Sequence, residues 1–247
     1  MFSSQTLIGK ILRLPLSLIP SETEIRILRG PLRGQKWIVG ASTHACWAGT
    51  YEVHRLGAFA RAIFPGATVY DIGANVGIYS LLASLRAGPT GKVYAFEPSA
   101  RNLHYLRRHL ALNDARNCVV LETAVSNTDG TCHFSVGPWE SSMARLSSQG
   151  DVLVPSITLD NGVYGEKALR PPDVIKIDVE GAEWEVLQGA NRVIMQVHPA
   201  IFLEVHGTEL HANCRNFLIA HGYRVEEAYS ELTASWSSPA SSGSPPE

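Results

Sequence analysis

Between residues 68 and 88 a β-rich run passes through a glycine loop directly into an amphipathic helix, a succession that few folds accommodate. Thr68–Ile72 is short and dominated by β-branched and aromatic residues. Gly73-Ala74-Asn75-Val76-Gly77 follows. Ile78, Leu81, Leu82 and Leu85 then recur at i, i+3, i+4 and i+7, one face of a helix that stops near Gly88. The same unit repeats downstream. Lys92–Phe96 reads as a strand, and Leu103, Leu106 and Leu110 mark the next helix face. Cys118–Val125 is strand-like, and Thr128-Asp129-Gly130 turns into His133–Val136. Val174–Ile177 precedes a helix around Trp184 and Leu187, and Ala200–Val205 precedes one carrying Leu210, Phe217 and Leu218. Strands alternating with helices build βαβ units: an α/β fold with a mostly parallel sheet, helices on both faces and ligands at the carboxyl strand ends.

The flanks read differently. Residues 24–39 form two short strands around a Gly30-Pro31 turn. Ile8–Ile19 is apolar but broken by Lys10, Arg13, Pro15 and Ser17, which fits a capping or membrane-surface helix better than a leader or a span of about 20 apolar residues. The expected division is an N-terminal cap of helix and β-hairpin over 1–67, a main domain over 68–236 and a disordered Ser/Pro tail over 237–247. The aperiodic stretch Gly137–Gly150, with Trp139 and Met143, is a candidate substrate lid. With no leader and no span, the expected location is the cytoplasm. The four cysteines are scattered without a Cys-x-x-Cys pair and read as reduced thiols. With 45% apolar and 18% charged residues the 247-residue chain can bury one sizeable core. Its 21 basic and 23 acidic residues leave a net charge of −2, so nucleic acid is not an expected partner. Residues 1–55 alone hold seven basic and three acidic residues, a local balance of 7 − 3 = +4. The oligomeric state is open, a homodimer included.

The loop narrows the cofactor. Asn75 stands where a dinucleotide fingerprint would place its second glycine. Asp71 at the strand tip would repel a pyrophosphate, and its own segment supplies no Lys or Arg to offset it. A nucleoside that carries positive charge and no phosphate suits the segment, and S-adenosylmethionine is such a ligand. Glu97 in Phe96-Glu97-Pro98 ends the next strand 97 − 71 = 26 residues later, where an acid can accept from both ribose hydroxyls. Asp71, Gly73, Asn75, Gly77 and Glu97 are therefore the expected cofactor residues.

Asp71–Gly77, Phe96-Glu97-Pro98, Thr158-Leu159-Asp160, Lys176-Ile-Asp-Val-Glu-Gly-Ala-Glu183 and Leu203-Glu204-Val205-His206 resemble the FkbM-type methyltransferases. The resemblance spans residues 49–222. It implies a Rossmann-like class I fold with a seven-stranded sheet and a reversed final strand. It also implies S-adenosylmethionine as cofactor and O-methylation of a hydroxyl on a small-molecule or carbohydrate-like metabolite. Tyr223–Tyr229 and Leu232–Trp236 are all that remain for the last two strands. Gly49-Thr50-Tyr51-Glu52 is similar to a family segment, with Tyr51 and Glu52 as a lid over the methionine end or, for Tyr51, as core packing.

An alkyl hydroxyl attacks an electrophilic methyl more readily when a base takes its proton. Asp178 and Glu180 follow the strand Val174–Ile177, His206 ends the next strand on the same edge, and Lys176 lies on the same side of its strand as Asp178. Asp178 and His206, with Glu180 and Lys176, are the candidate acceptor-activating residues. Each has a plainer alternative: Asp178 as an N-cap, Glu180 and Glu183 as first-turn acids, His206 as a neutral strand-end histidine. A divalent metal on Asp178, Glu204 and His206 is a third possibility that spacing leaves open. Two further functions remain: methylation of RNA or protein, and a catalytically silent partner that only binds the cofactor.

Overall fold

The structure, a computed structural model, describes residues 19–135, 145–146, 152–228 and 230–236. The expected N-terminal capping helix, Trp139 and Met143 of the candidate lid, and the tail lie outside the described residues. The chain runs β1 (Glu24–Arg26), β2 (Lys36–Ile38), α1 (His44–Ala48), α2 (Val53–Ala62), β3 (Thr68–Ile72), α3 (Ile78–Ala87), β4 (Lys92–Phe96) and α4 (Ala100–Leu112). Then come β5 (Cys118–Leu121), β6 (Ala124–Val125), β7 (Gly130–Ser135), β8 (Arg145–Leu146), β9 (Val152–Ile157) and α5 (Leu159–Tyr164). It ends with β10 (Val174–Ile177), α6 (Glu183–Gly189), α7 (Asn191–Val197), β11 (Ala200–Glu204), α8 (Thr208–Ala220), β12 (Tyr223–Ala228) and β13 (Glu231–Trp236). Among the described residues no helix is long and apolar enough to cross a membrane.

Seven strands form the main sheet in the order β12-β13-β11-β10-β3-β4-β5. The pairs β11–β10, β10–β3, β3–β4 and β4–β5 are parallel, and β13 runs antiparallel to both of its neighbours. The chain winds outward in both directions from β3 and β10, which makes their carboxyl ends the topological switch point where such sheets bind ligands. Every residue of β3 and of β10 is buried, as parallel strands covered on both faces must be. The closing hairpin, for which so little sequence remained, is complete. β12 and β13 pair over six positions, and Tyr223, Leu232 and Ala234 bury against the core.

One expected strand divides in two. β5 leaves the main sheet at Leu121, where Thr123 N bonds back to Leu121 O at 2.9 Å and turns the chain. β6 then joins a second sheet ordered β6-β9-β7-β8. Among the described residues β5 is the edge of the main sheet, paired only with β4.

Alternation along β3 and β10 sorts the core. Tyr70, Ile72, Ile175 and Ile177 face α6 and α7, while Val69 and Val174 face the N-terminal elements and α3. Trp37, Phe59, Leu81 and Leu82 fill that second layer, so the β1–β2 hairpin, α2 and the sheet share one apolar cluster. The hairpin docks by side-chain hydrogen bonds from α4 and the residue that follows it. Asn113 accepts from Lys36 N at 2.7 Å and donates to Lys36 O at 2.9 Å. His109, fully buried and stacked on Trp37 at 3.8 Å, accepts from Ile38 N through Nε2 at 3.1 Å. Its Nδ1 then donates to Val76 O in the glycine loop at 2.7 Å, so the ring ties hairpin to loop only when neutral.

Burial lowers the His109 pKa from 6.5 to about 4, against a smaller opposing effect of its bond to Val76. A folded-state value below the unfolded one means that stability is fully present above pH 6.5 and drains away as pH falls toward 4. Linkage over that interval amounts to about 3 kcal/mol from this group alone. Urea unfolding of the wild type at pH 7 and pH 4 is expected to show this loss, and His109→Gln to show a smaller pH dependence from a lower starting stability.

Candidate active site

The carboxyl ends of β3, β4 and β10 open on a cleft. Gly73, Asn75, Glu97, Pro98, Asn102, Thr123, Asp178 and Glu180 are among its lining residues. Asn75 and Glu97 join through the backbone: Asn75, in the left-handed region at φ 51°, donates its N–H to Glu97 Oε2 at 2.8 Å. Ser99 N donates to Glu97 Oε1, also at 2.8 Å. A carboxylate has about four acceptor positions, so it can also take the two donors of a vicinal diol. Burial raises the Glu97 pKa, opposed by these two N–H bonds and by Asn102.

Gly73 and Gly77 are glycines for separate reasons. At Gly73, φ is 72° and an added Cβ would lie 1.9 Å from the carbonyl oxygen of Asp178. At Gly77, φ is 95° and a Cβ would meet Leu106 at 2.5 Å. The loop thus presses its backbone on the acid-bearing segment after β10 on one side and on α4 on the other.

Asp71 does not line the cleft, and its expected role changes accordingly. Its side chain is fully buried below the loop, accepts from Ser80 Oγ at 2.5 Å and lies 3.4 Å from Lys176 Nζ. The register pairs Asp71 directly with Lys176 and points both to the same face. The cation absent from the Asp71 segment is supplied by β10, so repulsion of a pyrophosphate by Asp71 does not discriminate between cofactors. Lys176 likewise is not among the cleft's lining residues. It is buried, donates to Gly73 O at 2.9 Å, and lies 3.7 Å from Asp178 and 5.1 Å from the Tyr79 ring centre. Burial opposes its charge, yet Asp71 and Asp178 outweigh that and raise its pKa.

Asp178, Glu180, Glu204 and His206 do come together at the open end. His206 Nε2 lies 3.4 Å from Glu180 and 4.0 Å from Glu204 Oε1. Ligand atoms of Asp178, Glu204 and His206 fall within 4.8 Å of one another. Two of these carboxylates lie near cations of the chain, Asp178 near Lys176 and Glu204 Oε2 on Arg55 at 2.5 Å, but each cation is shared with other acids. Burial raises the Glu180 pKa, with His206 opposing. Burial pulls the His206 pKa down, but Glu183 and Glu180 more than offset it, and the net shift is upward.

Tyr51 and Glu52 are not among the cleft's lining residues. Glu52 accepts from Tyr79 Oη at 2.6 Å and pairs with Arg55 at 3.1 Å, and Tyr51 packs on the N-terminal apolar cluster. Arg55 also reaches Glu231 of the closing hairpin at 2.9 Å. Three residues of the site carry no functional role in a reading along the chain. Asn102 and Thr123 line the cleft without any local signal, and Glu183 bonds His206 Nδ1 at 2.9 Å from a fully buried position.

A model of the methyltransferase FkbM domain matches residues 71–225. The chain is 28% identical over 140 residues to the hexuronic acid methyltransferase AglP of Haloferax volcanii, covering 56% of this chain and 55% of AglP. It is 26% identical over 176 residues to the 31-O-demethyl-FK506 methyltransferase FkbM of Streptomyces tacrolimicus, covering 59% of this chain and 67% of that protein. The chain thus spans about half the length of AglP. Among solved structures, a precorrin-6y C5,15-methyltransferase from Geobacter metallireducens superposes with a TM-score of 0.52 at 18% identity. The match covers 80% of this chain and 94% of that one, and the likeness establishes the shared fold.

Gly73→Ala combines a positive φ with a backbone clash, and is expected to cost more than the 1–3 kcal/mol typical of a strained position. Gly88, at φ 68° with nothing near the place a methyl would take, isolates the strain alone. Thermal melts of Gly73→Ala and Gly88→Ala are expected to show the larger loss in Gly73→Ala.

Proposed function

The chain belongs to the FkbM methyltransferase family, and on that premise we propose that it is an S-adenosylmethionine-dependent O-methyltransferase. Its acceptor is a hydroxyl of a small-molecule or carbohydrate-like metabolite. The observation that carries this reading is the cleft itself: Glu97 opens into the same space as Asp178 and Glu180, and His206 lies 3.4 Å from Glu180. Two relatives, a hexuronic acid methyltransferase and a 31-O-demethyl-FK506 methyltransferase, support a hydroxyl acceptor.

Bound in this cleft, S-adenosylmethionine supplies a methyl group made electrophilic by its sulfonium. Glu97 accepts from the ribose hydroxyls, and Gly73, Asn75 and Gly77 let the backbone approach the nucleoside closely. The carboxylates of Asp178 and Glu180 favour a cationic ligand at the open end. Methyl transfer is an in-line displacement, so alignment of the acceptor oxygen supplies much of the rate. His206 takes the hydroxyl proton as attack proceeds, and Asp178 orients the acceptor by accepting a hydrogen bond.

Two experiments test this. Calorimetry with S-adenosylhomocysteine is expected to show binding to the wild type, weakened at least tenfold by Glu97→Ala. Absence of wild-type binding, or equal binding by the variant, overturns the cofactor assignment. Labelled S-adenosylmethionine with fractionated metabolites identifies the acceptor. With it, His206→Ala and Asp178→Asn are each expected to lower kcat by about 10²-fold or more. His206 acts when neutral and its pKa is raised, so kcat falls as pH drops through an apparent pKa above the ordinary 6.5. That acid limb should vanish in His206→Ala.

A further inference from the structure

His206 shows its two ring nitrogens to different surroundings. Nδ1 lies 2.9 Å from Glu183 Oε1, on a side chain with no solvent exposure, while Nε2 faces the rim of the cleft beside Glu180 and Glu204. An ionised carboxylate has lone pairs and no proton to give, so this contact is an N–H donated by Nδ1. The neutral ring then carries its free lone pair on Nε2.

We propose that Glu183 is a positioning residue for methyl transfer, holding His206 in the tautomer and orientation that aim a basic Nε2 at the acceptor hydroxyl. The proposal rests on His206 being the base. It makes Glu183 and His206 a carboxylate–imidazole pair, in which the acid does not touch the acceptor and acts only through the ring. The hydroxyl proton passes to Nε2 as the new O–CH3 bond forms and the S–CH3 bond breaks, leaving a thioether. The imidazolium is stabilised by the charge of Glu183 and gives its proton to water, since the His206 side chain is 32% exposed.

The placement of Glu183 exceeds what its helix requires. Oε1 also accepts from Gly181 N at 2.9 Å, an ordinary service at the start of α6. A partly exposed acid or an amide would do the same. Instead the carboxylate is wholly buried, and Oε2 has no hydrogen-bond partner among the described residues. A buried, half-satisfied carboxylate is costly. The arrangement becomes intelligible when its charge is needed against an imidazolium. The pair is assembled from two strands' ends: α6 follows β10, and His206 follows β11, its parallel neighbour.

Glu183→Gln is the informative variant, because its amide oxygen still accepts from Gly181 N and from Nδ1–H while the charge is gone. We expect kcat to fall about 10²-fold, with the acceptor KM and the S-adenosylhomocysteine Kd unchanged. The double variant Glu183→Gln/His206→Ala should be no slower than His206→Ala alone, since the two act as a unit. A measurement free of turnover is nitrogen NMR of the wild type with labelled histidine, at a pH where the rings are neutral. His206 is expected as the Nδ1–H form, a preference lost in Glu183→Ala. A wild-type Nε2–H form overturns the proposal even if every variant misfolds. So does wild-type kcat in Glu183→Gln when His206→Ala is slow. A fast His206→Ala overturns instead the assignment of the base, and with it the catalytic meaning of the pair.

Discussion

One buried ammonium group joins the parts of this site. Lys176 Nζ lies under the glycine loop, bonded to Gly73 O and close to both Asp71 and Asp178. Asp71 belongs to the strand that launches the glycine loop, and Asp178 follows the strand that launches the acid-bearing segment. A buried carboxylate without its cation costs several kcal/mol, so the Asp71–Lys176 pair holds the two central strands in one register. The packing of Gly73 on the Asp178 carbonyl repeats the same linkage through the backbone. The two ligand-facing halves of the cleft are therefore one mechanical unit.

Around that unit the carboxyl edge of the sheet is crowded with acids, and most of them meet a cation or an N–H group. Glu97 takes two backbone N–H groups, Asp178 faces Lys176, Glu204 faces Arg55, and Glu183 faces His206. Glu180 remains the least answered, its backbone in the left-handed region at φ 56° and its pKa raised. Such local strain beside a cleft is the kind that surrounding structure must hold in place.

Much of this is legible in the sequence because it is local. The central strands and the helices α3 and α4 announce themselves by uniform apolarity or by a 3.6-residue stripe, and Glu97 by its place at a strand end. What escapes a reading along the chain depends on residues far apart. Asp71 and Lys176 are 176 − 71 = 105 positions distant, and only the parallel register sets them side by side on one face. The break after Leu121 reflects a second sheet waiting beyond the edge of the first. Glu183 looks like any acid in a first helical turn until β11 delivers His206 beside it. The closing hairpin leaves a short trace because its two strands have six residues each.

Arg55 gathers Glu52 from the start of its own helix, Glu204 from β11 and Glu231 from the closing hairpin. Its guanidinium therefore joins the N-terminal elements to the last strands of the sheet, across everything between. An N-terminal segment exchanged among relatives would bring with it an obligation to match three acids in the host. Diversification of that segment and of the hairpin is thereby coupled, and the two should vary together or not at all.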